Sequence, residues 1–417
     1  MIRAVKGTRD LLPPATALWN AVEETARRLF RAYHYREIRT PILEPTELFA
    51  RGIGQETDIV NKEMYSFEDR DGSALTLRPE ATAPVIRAYL EHHLDQQPGL
   101  QKLYYIGPMF RRERPQKGRY RQFYQIGGEA IGSESPAVDA EVIELVVELL
   151  EQVGLTGFEL LLNSVGCPRC RPAYIESLRE HLRSVASAMC EDCRRRSRSN
   201  PLRVLDCKVP EDQPIIARLP SILDALCDVC RDHFAAVRRM LDARGISYTP
   251  APRLVRGLDY YMRTTFEVTH SALGGQDSVL GGGRYDGLAQ ALGATKATPG
   301  IGFSIGEDRL VLALEQSGKA SSGPELDLFI APVGEAAFEH AAGLARKLRR
   351  LGLAVELSFE RRLKRALEIA HRLGVARVLI VGEDEIAAGS YTLRDMQTGE
   401  QRSLPAEALI GELVHRN

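Results

Sequence analysis

The sequence predicts a multidomain α+β protein, with a helical insertion inside its first domain and a small α/β domain at its C-terminal end. The chain has 417 residues, whereas a typical domain has about 150. Strand-like patterns stop at 167, where a Cys-rich and Arg-rich helical stretch begins, and they resume at 254. Beyond 323, strands alternate with helices, which is typical of a domain with largely parallel strands.

Composition excludes several classes of protein. Apolar residues make up 44% and charged residues 27% of the chain, which excludes disorder as the main state. Because no run approaches the roughly 18 apolar residues of a membrane span and the N-terminus has no apolar signal region, we expect neither a membrane anchor nor export. The net charge of −1 means that a nucleic-acid partner would bind to a local basic patch.

The local patterns of the first domain predict its elements in order. Apolar residues at helical spacing predict a helix over 15–33, and the two prolines of REIRTPILEPTELF predict an extended segment over 36–49. A hairpin is expected over 63–78, with an Asp-Gly pair near its turn. Two strands joined by a basic loop are expected over 101–131. A long amphipathic helix over 136–153 follows.

The second half of the chain carries glycine-rich and alternating patterns. The segment LVRGLDYYMRTTFEVTH predicts a strand from 254, and VLGGGRYDGLAQAL and GIGFSIGEDRLVLALEQ predict glycine-rich turns and a closing helix. A Gly/Ser-rich linker is expected over 317–325. The predicted domains are 1–166 with 247–318, the insertion 167–246, and the C-terminal domain 324–417.

The loop between the strands of 101–131 concentrates positive charge. Such a loop can bind a triphosphate or an RNA backbone, although a solvated hairpin tip has the same composition. Arg111 and Glu113 share one face of the extended chain, as do Phe123 and Gln125 on the following strand. A cation, a carboxylate and an aromatic ring on one sheet surface favour a nucleotide site. The basic residues of FRRERPQKGRYRQF are Arg111, Arg112, Arg114, Lys117, Arg119 and Arg121.

Carboxylates and glycines mark further candidate positions. Glu80 and Thr82 lie together in LTLRPEATAP, and Glu129 lies beside glycines in QIGGEAIG; taken separately, each carboxylate favours a structural ion pair over a ligand contact. The glycines of GGGRYDGL allow a backbone to approach a ligand closely, but a glycine run before a helix is only a weak phosphate signal. The glycines of GIGFSIGEDRL are also typical of close packing.

Taken together and in their order along the chain, the segments quoted above resemble the histidyl-tRNA synthetases, which are class II aminoacyl-tRNA synthetases, over almost the whole chain. The helix and strand that end at Pro41 are similar to the first class II motif, which forms a dimer interface. FRRERPQKGRYRQF resembles the second motif and GIGFSIGEDRL the third. RGLDYY and GGGRYDGL resemble two histidine-specific signatures that other class II enzymes lack.

The resemblance implies both a fold and a reaction. The fold would be a class II antiparallel sheet flanked by helices, a helical insertion that contacts the tRNA acceptor arm, and a C-terminal anticodon-binding domain. L-histidine and Mg²⁺·ATP would give histidyl-adenylate, and histidine would then pass to the 3′-terminal adenosine of tRNA(His). A cytoplasmic homodimer is expected. The basic run 193–203 fits phosphate contact, and a solvated helix end fits it as well.

The resemblance also implies roles for residues at matching positions. Arg111 and Arg256 would contact the α-phosphate, and Arg119 and Arg309 the outer phosphates, so that Arg111, Arg256 and Arg309 are the expected catalytic residues. Glu113 would contact the adenine edge and Phe123 would stack on the ring. Glu80 and Thr82 would bind the α-amino group, and Glu129 and Tyr261 the imidazole. The expected histidine-binding residues are Glu80, Thr82, Gln125, Glu129, Arg256, Tyr260, Tyr261 and Tyr285.

The cysteines leave two interpretations open. Seven cysteines, an odd number, argue against a disulfide framework and for reduced thiols. Cys167/Cys170 followed by Cys190/Cys193 has zinc-ribbon spacing, and the pair Cys227/Cys230 could compete for a metal. The resemblance implies no metal requirement here and the outer pairs fall in helical patterns, so no metal ligand is assigned.

Two other functions are compatible with parts of the sequence. A non-charging paralogue could serve as the regulatory subunit of an ATP phosphoribosyltransferase, and an RNA-sensing module could use the same fold without catalysis. The paralogue would lack the C-terminal domain and have degraded signatures, whereas this chain keeps RGLDYY and Arg256. The complete set of ATP-binding and histidine-binding candidates argues against both.

Overall fold

The computed structural model describes residues 2–55, 57–274, 277–318 and 326–414. The chain forms two compact units, Met1–Ala320 and Ser321–Asn417. Most of the predicted linker 317–325 lies outside the described residues. Where the chain is described, no helix combines the length and the apolar character that crossing a bilayer requires.

The helices and strands of the first unit alternate irregularly along the chain, and short 3₁₀ turns join several of them. Before the insertion they are α1 Ala15–Ala32, β1 Arg36–Glu37, β2 Leu43–Pro45, α2 Thr46–Ile53, β3 Tyr65–Glu68, β4 Ala74–Leu77, α3 Thr82–Glu91, β5 Gln101–Phe110, β6 Gln122–Ile131, α4 Pro136–Gln152 and β7 Phe158–Ser164. From the insertion onwards they are α5 Arg171–Val185, α6 Glu191–Ser199, α7 Gln213–Ile216, α8 Asp228–Ala243, β8 Thr249–Pro250, β9 Met262–His270, β10 Ser278–Arg284, α9 Leu288–Ala291, β11 Gly300–Gly306 and α10 Glu307–Gln316.

A large sheet forms the centre of the first unit. Its described strands have the order β1-β5-β6-β11-β10-β9-β7-β8. The neighbours from β5 to β7 pair antiparallel, and only the outer pairs β1/β5 and β7/β8 are parallel. The hairpin predicted over 63–78 is confirmed as β3 and β4, which join β2 in a small separate sheet. The predicted class II architecture of an antiparallel sheet flanked by helices is confirmed.

Helices α1, α4 and α10 cover one face of the large sheet, because each presents an apolar stripe at helical spacing. Val22, Ala26 and Phe30 of α1 are buried in this core. Helix α4 begins at Pro136, where the Ser135 hydroxyl accepts a hydrogen bond from the Ala137 N–H at 3.3 Å. Both helices therefore follow the sequence prediction to within one residue.

The opposite face of the sheet carries a second apolar cluster under α3 and the segment 254–261. Successive side chains of a strand point to opposite faces, so Tyr104 packs under α1 while Leu103 and Tyr105 point toward α3. This second face is only partly covered, and the site described below lies there.

Three sequence predictions about local structure are wrong. The glycine-rich segments 278–284 and 300–306 are the sheet strands β10 and β11, not turns. The strand expected from 254 begins at Met262; before it, the chain bends, and the Asp259 N–H donates to the Ile53 carbonyl at 3.1 Å. Residues 46–53 form helix α2 because Leu48, Phe49 and Ile53 bury one face of a helix.

The insertion has its own apolar core, which runs from Cys167 to Cys230 and contains Leu178 and Ile216. The later part of α8 packs elsewhere: its Phe234 and Val237 belong to the core under the large sheet. Cys167/Cys170 and Cys190/Cys193, which together have zinc-ribbon spacing, do not join in one cluster. Two separate clusters form, because α5 and α8 begin side by side; they are Cys167, Cys170, Cys227 and Cys230, and Cys190, Cys193, Cys207 and Asp212.

The second unit is an α/β domain. Its elements are β12 Leu328–Pro332, α11 Glu335–Arg350, β13 Val355–Leu357, α12 Leu363–Arg372, β14 Arg377–Val381, α13 Glu383–Ala388, β15 Ser390–Asp395, β16 Gln401–Pro405 and α14 Ala406–Val414. Strands β13, β12 and β14 are parallel, as predicted. Strands β15 and β16, which the sequence patterns did not predict, add antiparallel to one edge.

Candidate active site

A cavity of about 550 Å³ lies on the partly covered face of the large sheet. Strands β5, β6, β9, β10 and β11 provide its floor, and α3, the basic loop, the segment 254–261 and the insertion provide its walls. Most of the residues proposed from the sequence line this one cavity. They are Glu80, Thr82, Arg111, Glu113, Arg119, Phe123, Gln125, Arg256, Tyr260, Tyr261 and Arg309.

Strand register explains how Arg256 is held. Gly281 of β10 lies directly opposite Glu267 of β9, and the Arg256 guanidinium lies over Gly281, where a Cβ would be 1.9 Å from its Nη2. From there, Nη1 donates to Glu267 Oε2 at 2.5 Å. Although burial opposes the charge, Glu267 raises the pKa of Arg256. The result is a fixed, permanently charged donor on the cavity wall.

The basic loop and β6 place an aromatic ring among cations. The Arg111 guanidinium carbon lies 5.3 Å from the centroid of the Phe123 ring, and Arg111 Nε donates to the Pro79 carbonyl at 2.9 Å. Glu113 pairs with Arg119 at 2.9 Å and with Arg111 at 3.7 Å. A ring beside a fork of donors and a carboxylate suits a purine and its phosphates.

Arg309 lies in the first turn of α10, as predicted, and faces the same cavity. Burial, together with the neighbouring Arg119 guanidinium, lowers the pKa of Arg309. Two neighbouring guanidinium groups suit a polyanion, since the anion relieves the repulsion between them.

Glu80 and Thr82 meet at the N-terminus of α3. The Glu80 carboxylate accepts hydrogen bonds from the Thr82 N–H at 2.8 Å and the Ala83 N–H at 3.0 Å. Burial raises the pKa of Glu80, while these two donors favour its ionised form. Glu80 thus caps the helix as well as facing the cavity.

Glu129 and Tyr285 lie behind the cavity wall. Neither lines the cavity, and both are buried. Glu129 accepts hydrogen bonds from the Thr82 hydroxyl at 2.8 Å and the Tyr285 hydroxyl at 2.6 Å. It lies over Gly302 on the neighbouring strand, where a Cβ would be 1.7 Å from its Oε2. Burial raises the pKa of Glu129 to about 8, against the hydrogen bonds from Tyr285 and Thr82, which lower it.

Tyr260, Tyr261 and Gln125 form the wall nearest to this buried pair. The Tyr260 ring lies 4.7 Å from the Tyr261 ring and 6.1 Å from the Tyr285 ring, centroid to centroid. Burial raises the pKa of Tyr261 to about 12, so its hydroxyl keeps a proton to donate. Gln125 Oε1 is buried and has no hydrogen-bond partner in the described parts of the chain, which leaves an acceptor for a ligand.

The insertion contributes a wall that the sequence analysis did not assign to the site. Arg196, Arg203, Asp206 and Lys208 line the cavity. Arg203 donates to the Arg256 carbonyl at 3.4 Å and pairs with Asp58 at 3.3 Å. Two of the basic residues of 193–203 therefore face the cavity. The sequence did not predict a role for Glu267 either, because it lies in an apolar strand pattern that does not indicate its pairing with Arg256.

Comparison with known proteins identifies the family. A family model described as histidyl-tRNA synthetase matches residues 7–310, and one described as an anticodon binding domain matches residues 327–416. The chain is 67% identical over 413 residues to the histidine–tRNA ligase of Solibacter usitatus, with 99% of each chain covered. The chain belongs to the histidyl-tRNA synthetase family. The resemblance noted in the sequence is confirmed over the whole chain.

A second relative and a solved structure support the same family. The histidine–tRNA ligase of Koribacter versatilis is 60% identical over 416 residues, which cover 97% of this chain and 94% of that relative. The crystal structure of apo S. aureus histidyl-tRNA synthetase is 38% identical and superposes with a TM-score of 0.81, covering 99% of this chain and 100% of the other. The predicted fold, with a C-terminal anticodon-binding domain, is therefore confirmed.

Proposed function

We propose that this chain is a histidine–tRNA ligase, which activates L-histidine with Mg²⁺·ATP and transfers it to the 3′-terminal adenosine of tRNA(His). The observation that carries the proposal is the position of Arg256. Its guanidinium is held against Gly281 by Glu267, in a cavity that also contains Arg111, Arg119 and Arg309. A cavity with this many guanidinium groups suits a triphosphate.

The first step is an in-line displacement at the α-phosphorus of ATP. A carboxylate oxygen of histidine forms the new P–O bond, and the bond to the bridging oxygen breaks, releasing pyrophosphate. Negative charge builds on the α-phosphate oxygens, where Arg111 and Arg256 act. Since both groups are already held in place, they stabilise this charge without reorganising.

ATP binding is assigned to the other side of the cavity. Phe123 stacks on adenine, Glu113 accepts from its amino edge, and Arg119 and Arg309 hold the outer phosphates. Mg²⁺ is bound mainly by phosphate oxygens and water, as is usual for this ion, so no protein ligand is assigned to it. Binding of ATP thus brings anions to two arginines whose charges repel each other.

Selection of histidine is assigned to α3 and the tyrosine wall. Glu80 and Thr82 bind the α-amino group, and Gln125 supplies an unpaired acceptor beside it. Tyr261 donates to the imidazole, while Glu129 acts through its hydrogen bonds with Thr82 and Tyr285. A site built on hydrogen bonds rejects apolar amino acids by roughly 10⁴–10⁵.

The domain assignment and the partners follow from the same proposal. Residues 1–166 and 247–318 catalyse, 167–246 contact the acceptor arm, and 324–417 bind the anticodon arm. The cytoplasmic location inferred from the sequence stays a prediction. The regulatory paralogue is less well supported, because this chain keeps the complete Arg256 arrangement and a second unit that the anticodon-binding model matches.

A homodimer is part of the proposal. Three apolar side chains are exposed at the small sheet that follows Pro41. Ile42, just before β2, and Leu43 and Phe67 within the sheet have exposed fractions of 41%, 46% and 47%. Exposed apolar side chains in one small sheet are typical of an interface between subunits. Sedimentation at micromolar concentration should show a dimer, and a monomer would contradict this assignment.

The charging assay tests the whole proposal. Histidine, ATP, Mg²⁺ and tRNA(His) should give histidyl-tRNA, and replacing histidine by any other amino acid should give none. The matched control is tRNA of another specificity, which should not be charged. A folded, dimeric protein that charges no tRNA would contradict the proposal.

A further inference from the structure

Four cysteine side chains converge where the chain enters and leaves the insertion. This four-cysteine cluster consists of Cys167 and Cys170, which precede α5, and Cys227 and Cys230, at the start of α8. The Cys167 sulfur lies 3.8 Å from the sulfurs of Cys170 and Cys227, and that of Cys170 lies 3.9 Å from that of Cys230. All four sulfurs lie within 4.8 Å of one another.

These distances match a tetrahedral metal site. Four thiolates that each lie about 2.3 Å from a zinc ion are about 3.8 Å apart along the edges of the tetrahedron. A disulfide would instead bring two sulfurs to about 2.05 Å. A tetrahedron of this size encloses one ion, which leaves no room for an iron–sulfur cluster. The pattern of two C-x-x-C pairs on adjoining helix starts is typical of structural zinc.

A second group lies in the middle of the insertion. This Cys–Asp cluster consists of Cys190, Cys193, Cys207 and Asp212. The sulfurs of Cys190 and Cys207 are 3.9 Å apart, and Cys207 Sγ lies 3.2 Å from Asp212 Oδ2. Zinc sites accept carboxylate oxygen at about 2.0–2.2 Å, which predicts a sulfur–oxygen separation of roughly 3.5 Å. Asp212 is 1% exposed and faces three thiols rather than a basic side chain.

The two clusters account for every cysteine of the chain. Four thiols belong to the first and three to the second, which makes the seven of the sequence. The odd number that excludes a complete disulfide pairing is explained if Asp212 supplies the eighth ligand. Since each cluster offers four protein ligands, both are closed sites of the structural kind.

We propose that the insertion binds two structural zinc ions, one in the four-cysteine cluster and one in the Cys–Asp cluster. The first ion ties together the two ends of the insertion, and the second ties α6 to the segment around Cys207. Metal binding of this kind contributes directly to folding, because the ligands converge only in the folded chain.

Both sites adjoin the cavity wall. Cys207 lies between Asp206 and Lys208, which both line the cavity. Arg171, next to Cys170, donates to the Val165 carbonyl at 2.9 Å and also to the Tyr261 carbonyl. Both proposed metal sites therefore lie next to residues that line or support the cavity wall. The ions would act as positioning elements for that wall, and they take no part in the chemistry.

Metal analysis of the full-length protein tests both sites. The protein is purified without chelator from zinc-supplemented cells, and its metal content per chain is measured by elemental analysis and by native mass spectrometry. We expect two zinc ions per chain. Cys227→Ser and Cys207→Ser should each remove one ion, whereas Asp224→Asn, an exposed carboxylate in the same insertion, should remove none.

The measurement on the unaltered protein keeps the proposal falsifiable if a variant does not fold. Zinc well below one per chain overturns both sites, as does iron in place of zinc. A denatured mass that reports disulfides also overturns them. One zinc per chain that Cys227→Ser removes and Cys207→Ser leaves in place overturns the second site alone. Replacement of zinc by cobalt should add the visible absorption of tetrahedral thiolate coordination, and octahedral cobalt absorption overturns the assignment of the ligands.

Discussion

Substituting Gly281 by alanine should slow histidyl-adenylate formation strongly, although Gly281 itself performs no chemistry. The added Cβ would lie 1.9 Å from Arg256 Nη2 and 2.1 Å from its Cζ, whereas ordinary contact begins at 3.4 Å. The guanidinium must therefore move by about 1.5 Å and lose its bond to Glu267. A misplacement of about 1 Å costs on the order of 100-fold, and losing a charge donor about 10²–10³. We expect the single-turnover rate of adenylate formation to fall by about 10²–10³, with a much smaller effect on histidine binding.

Two controls separate this effect from general damage. Gly287→Ala adds a Cβ that meets only Met262 Cε at 3.6 Å, so it should behave as the wild type. In an Arg256→Ala background, Gly281→Ala should cost little more, because the group it displaces is already absent. The reasoning is refuted if Gly281→Ala stays within about threefold of the wild type in single-turnover adenylation, well short of the 100-fold expected for misplacement.

Three other predictions concern stability, assembly and the division of labour. Burial raises the pKa of Glu307 to about 9 from a usual value of 4.5, and neither oxygen has a hydrogen-bond partner in the described ranges. The Glu307 carboxyl group ionises near its usual pKa of 4.5 in the unfolded chain, but only near pH 9 in the native chain. Native stability therefore falls as pH rises between these two values. Glu307→Gln should therefore have a higher melting temperature than the wild type at pH 8 and the same melting temperature near pH 5. A difference in melting temperature that is the same at both pH values would contradict this. Leu43→Asp should weaken the dimer by sedimentation, whereas Asp69→Asn on the same small sheet's hairpin should not; equal dimerisation in both would exclude this interface. Deleting 324–417 should leave adenylation largely intact and sharply weaken tRNA charging, and unchanged charging would show that this domain does not bind tRNA.

Helices and strands such as α1 and β5 can be predicted from the sequence because their apolar residues recur at regular spacing. Val22, Ala26 and Phe30 mark α1, and the alternation around Tyr104 marks β5. The floor of the cavity is different. Its strands carry glycine at Gly281 and Gly302 so that Arg256 and Glu129 can lie on the sheet, and glycine runs are more typical of turns.

The candidate site residues could be predicted from the sequence through family motifs, but their spatial arrangement could not. Glu267 and Arg256 are paired by strand register, which a one-residue slip would destroy. Glu129 was expected at the ligand and instead lies behind Thr82, a distinction that depends on packing depth alone. The cysteine clusters were missed for a similar reason: sequence spacing favoured neighbouring pairs, whereas the helix starts of α5 and α8 bring distant pairs together.

The most direct test of the account is histidine-dependent exchange of pyrophosphate into ATP by the full-length protein with Mg²⁺ and no tRNA. It isolates adenylate formation, the step that we propose for Arg111, Arg256 and Arg309, which line one cavity. The account predicts exchange with L-histidine and none with other amino acids. Absence of exchange above background in a folded protein, or exchange that proceeds equally well with an apolar amino acid, would contradict it.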